Sequence, residues 1–177
     1  MMKWQEEDTS LLHSASDELS DYLSSPIIDW NINSSRLVLT PGRVLLALKR
    51  LSAVSINDPE ISRLIELIIK QIDTKKVLWQ KKIDLEIPRR LRVWENALKD
   101  YREEGLDLSY TAQVVNRTIL HLLEKEAYSL PPSFEAHLQT LDAELRTLLI
   151  PGDFVWDEAL KVVFPDTDYW FLYSAKK

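Results

Sequence analysis

The sequence predicts an all-α fold: a single-domain bundle of six or seven helices with short links, plus one small extended or hairpin segment at 27–39. Three observations predict it. Apolar residues recur at a spacing near 3.6 almost from end to end. Proline directly follows Thr40 and Asp58, the arrangement of a capped helix start. Only three glycines occur in 177 residues, which leaves little material for the tight hairpins of a β-rich fold.

Each element has its own signature. Leu12, Ala15, Leu19, Tyr22 and Leu23 share one face of an acidic N-terminal helix over 1–25; Asp8 or Thr9 is placed to cap it, and Pro26 to end it. IIDWNINSSRLVL (27–39) is the one stretch that alternates, with Ile28, Trp30 and Ile32, then Leu37 and Leu39. A helical core follows over 41–149. Its first helix, 41–54, is apolar nearly all round and therefore expected to be central. From Asp58-Pro59, the stripe of Ile61, Leu64, Ile65, Ile68, Ile72, Trp79 and Ile83 marks a long helix, with Pro88 at a kink or a new start. Leu91, Trp94, Leu98 and Tyr101 carry the next stripe up to Gly105. Ser109 is placed to cap a helix with Ala112, Val115, Ile119 and Leu122 inward. Pro131-Pro132 then breaks the chain before the stripe of Phe134, Leu138, Leu141, Leu145 and Leu148. Residues 153–173 read as an aromatic C-terminal clamp, beginning with a short helix capped by Asp153 that turns Trp156, Leu160 and Val163 inward.

Composition excludes several kinds of chemistry. Without cysteine there is no thiolate nucleophile, disulfide or Cys-ligated metal site. The scarce glycines rule out a P-loop and a dinucleotide fingerprint. His13, His121 and His137 lie far apart in sequence, with no metal-ligand spacing between them. No metal and no cofactor is expected. The acidic start is unlike a secretory signal, and no apolar run approaches the ~18 residues of a membrane span. The expectation is a soluble, cytoplasmic protein.

Three constellations remain as candidate sites. The first is basic. KKVLWQKKIDLEIPRRLRVW (75–94) lies in a chain of net charge -6 and contributes Lys75, Lys76, Lys81, Lys82, Arg89, Arg90 and Arg92. Such a face suits a nucleic acid or another polyanion. Its two tryptophans continue the apolar stripes, however, and the acidic helices of the same chain are nearer partners for its charge. The second is aromatic. Trp156, Tyr169 and Trp170 form either an exposed patch for a protein partner or part of a terminal clamp, and the clamp ranks first. The third is polar. Glu95, Asn116 and His121 would be the centre of an enzyme site, against a structural network in which Arg117 pairs with Glu95 or Glu124. Residues 97–126 also have the outline of a helix-turn-helix with Thr111, Gln113, Asn116 and Arg117 as readers, opposed by Glu103, Glu104 and Asp107 near the turn. A non-catalytic protein–protein interaction or regulatory module, binding another protein or its own copy, is the expected function. Polyanion binding and an enzyme are the two rivals.

Overall fold

The computed structural model describes residues 3–32, 37–103 and 110–176. Six α-helices and two small antiparallel strand pairs make up the described chain, so the fold is all-α. Its packing divides into two compact units, the first ending at Glu86 and the second starting at Ile87.

In the first unit, α1 (Lys3–Ser24) buries Leu11, Leu12, Ala15, Leu19, Tyr22 and Leu23. It packs on both α2 (Pro41–Ser52) and α3 (Pro59–Thr74). The two proline starts form as their chemistry requires. Thr40 Oγ1 accepts from Arg43 N at 3.3 Å, and Asp58 Oδ1 accepts from Glu60 N and Ile61 N at 3.0 and 3.2 Å. Between α1 and α2, β1 (Trp30–Asn31) pairs with β2 (Val38–Leu39), Trp30 opposite Leu39. The 27–39 segment is therefore a small ribbon, although its NSSR tip (33–36) lies outside the described residues. The Trp30 ring meets Tyr22 of α1 edge to face.

Three expectations for this half need correction. Asp8 does not cap α1, because the helix begins earlier. It sits inside, 8 % exposed, with its carboxylate 3.6 Å from the Arg50 guanidinium of α2. The break after α3 falls at Lys75, not at Pro88. There the Thr74 hydroxyl bonds back to Lys70 O, and Lys75 N is shared between Gln71 O and Ile72 O, contacts that bend and tighten a last turn. Ile72 and Trp79 are seven residues apart, two turns on one face, so periodicity runs across this break unseen. Finally, α4 (Lys76–Glu103) passes straight through Pro88. Proline leaves the carbonyl four residues back without its helical donor, but Asp84 and Pro88 are on the exposed side of α4, where water can replace that bond. The buried stripe Trp79, Ile83, Ile87, Leu91, Trp94 and Leu98 is uninterrupted.

α4 closes the ends of two other helices in the first unit. Glu86, 2 % exposed, accepts from the Thr40 hydroxyl and from Gly42 N at 2.8 Å each, at the start of α2. A carboxylate there meets free N–H groups and the positive end of the helix dipole. Lys82 donates to Ser25 O at 2.9 Å and to Ile27 O just beyond α1, and its ammonium stands 4.3 Å from the Tyr22 ring centroid. Burial lowers its pKa. Replacing Glu86 by Gln turns one acceptor oxygen into a donor facing donors. We expect a loss of about 1–2 kcal/mol in urea unfolding, and an unchanged midpoint would show that the carboxylate is not needed there.

In the second unit, the rest of α4 accompanies α5 (Tyr110–Glu126) and α6 (Phe134–Leu148). β3 (Leu149–Pro151) pairs with β4 (Ser174–Lys176), Ile150 opposite Ala175. A Cβ at Gly152 would come within 2.8 Å of Ala175 Cβ, so the close of this ribbon requires glycine. Ile119 and Leu122 of α5 are buried as expected, but the rest of its inward face differs. Ala112 is exposed and Val115 half-buried, while Val114, Arg117, Thr118, Leu120 and Leu123 are buried. A bidentate ion pair to Asp142 of α6 draws Arg117 inward, and the Thr118 hydroxyl is satisfied by Val114 O. The expected Ser109 cap and Gly105 stop lie outside the described residues.

The helix expected after Asp153 does not form. Gly152 N and Val155 N bond to Tyr173 O and Leu172 O, which removes them from any helix start. The chain instead makes single 3₁₀ turns at Glu158–Leu160, capped by Asp157, and at Trp170–Leu172. Phe154, Leu160, Phe164, Phe171 and Leu172 fill the core, whereas Val163 is only half-buried.

Candidate functional site

The basic stretch folds onto its own chain at several points. Lys82 is buried, although its spacing from Lys75 put the two on one outer face. Lys75 donates to Ser20 Oγ of α1 at 2.6 Å, and Arg90 donates to Asn116 Oδ1 at 3.1 Å. Lys76 is half-buried, and Lys81, Arg89 and Arg92 are exposed. Trp79 and Trp94 are buried core residues. Neither tryptophan therefore offers a face on which a base could stack.

The aromatic candidates separate. Tyr169 is 4 % exposed, against His121 at 4.8 Å and Phe164 at 5.0 Å between ring centroids. Burial pushes its phenol up to about 12. Trp156 is half-buried and donates to Thr111 O at 3.2 Å. Trp170 carries the Arg146 guanidinium on its ring face, 3.6 Å from the centroid. It lines a groove of about 500 Å³ with Arg146, Ile150, Asp166 and the β3–β4 ribbon. Several polar groups of this groove are already engaged. Tyr173 and Ser174 donate to Phe164 O and Trp170 O, and Arg146 covers the indole.

The polar candidates pair separately. Glu95 Oε1 lies 3.4 Å from His137 Nε2, Asn116 accepts from Arg90, and His121 Nδ1 lies 3.6 Å from Glu124 Oε2. Arg117 binds neither Glu95 nor Glu124 but Asp142, with both bonds at 2.8 Å. Burial raises the Glu124 pKa, and Arg117 partly opposes the rise. Glu95, Asn116 and His121, the three proposed for an enzyme site, each have a different structural neighbour: His137, Arg90 and Glu124. Among the described residues, no three His, Asp or Glu side chains form a group able to hold a metal ion. Of the helix-turn-helix readers, Arg117 is buried in its ion pair and Asn116 is bonded to Arg90; the turn at 104–109 lies outside the described residues.

Another groove lies in the first unit, between the C-terminal halves of α1 and α3. Its volume is about 310 Å³. Leu19, Ser20 and Leu23 of α1 form one wall; Leu67, Lys70, Gln71 and Thr74 of α3 form the other, with Lys75 at the end. The small Ser20 side chain keeps the α1 wall low between Leu19 and Leu23. Leu67 is 45 % exposed, outside the Ile61, Leu64, Ile68, Ile72 stripe that packs α3 inward. Gln71 donates to Ser16 O at 2.8 Å, while its Oε1 is buried without a partner. Sequence reading stopped short of this groove. Leu67 is one more apolar residue in LIELII, and which serines face it depends on how two helices pack. The signal was the surplus of apolar residues in α3 over what one face can bury.

Comparison with protein-family models, with curated proteins and with solved structures finds no significant match to this chain. No helix among the described residues is long and apolar enough to cross a membrane.

Proposed function

We propose that the protein is a non-catalytic interaction module and that the α1–α3 groove is where another protein docks. The supporting observation is the groove itself: a concave, largely apolar surface with half-exposed Leu67 on its wall, while the Glu95, Asn116 and His121 side chains pair apart from one another. Apolar surface in a concave site is what a partner's side chains fill on binding. The lack of cysteine fits a cytoplasmic setting.

The test is a displayed library of helical peptides selected on the folded protein. Binders should lose roughly tenfold or more in affinity on Leu67→Glu, since burying one leucine is worth about 1.5–3 kcal/mol. Trp170→Ala should leave them unchanged. Leu67→Glu should itself cost about 1 kcal/mol or less, because the site is half-exposed. Binders that ignore Leu67→Glu and respond to Trp170→Ala would move the site to the C-terminal groove.

A further inference from the structure

We infer that the occupant of the α1–α3 groove is an acidic amphipathic helix of a partner protein; this rests on the docking reading above. The first argument is charge. The two ionisable residues in the lining are Lys70 and Lys75, both cationic, in a chain of net charge -6. Lys70 is exposed, and its ammonium has no partner among the described residues, while Lys75 leans on the Ser20 hydroxyl rather than on a carboxylate. Neither charge is neutralised within the groove. Two uncompensated ammonium groups beside an apolar floor select a ligand that brings apolar side chains and carboxylates together, and they repel a basic one.

The second argument is shape. Both walls are α-helices whose backbone groups are bonded within the helix, so the groove offers no ladder edge to an extended strand. On α3 the lining runs from Leu67 to Thr74, about 10 Å at 1.5 Å per residue. That is the span of side chains at i, i+3 or i+4, and i+7 on a helix laid along it. Half-exposed Leu67 would meet those anchors over a floor closed by buried Leu19 and Leu23, and carboxylates on the flank facing α3 would reach Lys70 and Lys75.

The test uses three fluorescein-labelled peptides of about 15 residues and fluorescence anisotropy on the intact protein. One carries leucines at helical spacing with Glu flanks. The second has the same leucines with Lys flanks. The third has the composition of the first with its leucine spacing scrambled. The acidic helix should bind roughly three- to tenfold more tightly than the basic one, as expected for one or two exposed charge pairs. Raised salt should narrow the gap. Lys70→Glu should reverse the preference, and Leu67→Glu should weaken both helices. Equal binding of the two helices, or tighter binding of the basic one, overturns the acidic partner and leaves the docking reading standing. If neither helix binds, or Leu67→Glu has no effect, the docking reading falls and the acidic partner with it. If the scrambled acidic peptide binds as well as the helix, the protein recognises polyanions through its basic segment, and the inference is overturned.

Discussion

Asp142→Ala is expected to cost about 3–5 kcal/mol in urea unfolding, the largest single effect we foresee outside the hydrophobic core. The reason lies in what it leaves behind. The Arg117 side chain is 6 % exposed and stacks 4.6 Å from the Phe171 ring centroid. Its Nε and one Nη are satisfied by the two Asp142 oxygens, and its remaining Nη1 has no hydrogen-bond partner. Remove the carboxylate and a guanidinium is left in the core with its charge uncompensated. Asp142→Asn should be milder, because it keeps one acceptor. Replacing both partners, Arg117→Met with Asp142→Leu, should recover most of the loss, since an apolar pair of similar volume avoids the desolvation of two charges. A double-mutant cycle from the four unfolding curves measures the coupling. An Asp142→Ala cost below about 1 kcal/mol would mean that water reaches the arginine.

Arg50→Met should destabilise the protein by roughly 3 kcal/mol at pH 8 and by much less at pH 5. Asp8 is the cause of the difference. Burial pushes its carboxyl up to about 6, against the lowering effect of the Arg50 guanidinium beside it. Burial also lowers the Arg50 pKa. A carboxyl with a folded-state pKa above its ordinary value near 3.8 holds its proton more tightly folded than unfolded. Its favourable contribution is therefore complete below about pH 4 and is lost as pH rises through 6. Without Arg50, the lost attraction raises that pKa further. At pH 8 the variant must bury a bare carboxylate; at pH 5 it buries a neutral acid. Unfolding curves at the two pH values give the contrast. An equal cost at both would show that Asp8 does not titrate in this range.

Much of the architecture was legible because it depends on local chemistry. Thr40-Pro41 and Asp58-Pro59 start helices through contacts within four residues. The stripes of α1, α3 and α6 need only a 3.6-residue period, and the alternation at 27–39 announced its ribbon. What escaped depends on residues far apart. Lys82 and Lys75 are equivalent in a helical projection; only the placement of Ser25 and Ile27 makes one of them internal. The face of α5 is set by Asp142, a partner 25 positions away. Residues 153–163 have helical spacing, but Gly152 N and Val155 N at their start are claimed by Tyr173 O and Leu172 O. The α1–α3 groove is a gap between helices, and periodicity along one helix does not report a gap.

Helix ends are usually closed from nearby, often by glycine. Here the end of α1 is held by a lysine 57 residues from the Ser25 carbonyl, and the start of α2 by a glutamate 44 residues beyond Gly42. The consequence concerns the order in which the chain can fold. As synthesis proceeds, α1 and α2 emerge well before Lys82 and Glu86, with only their local caps in place. The contacts from Lys82 and Glu86 to those ends form only once the first three turns of α4 have docked. Closing those distant contacts requires ordering a long loop first, which makes α4 the piece on which cooperative folding of the first unit turns.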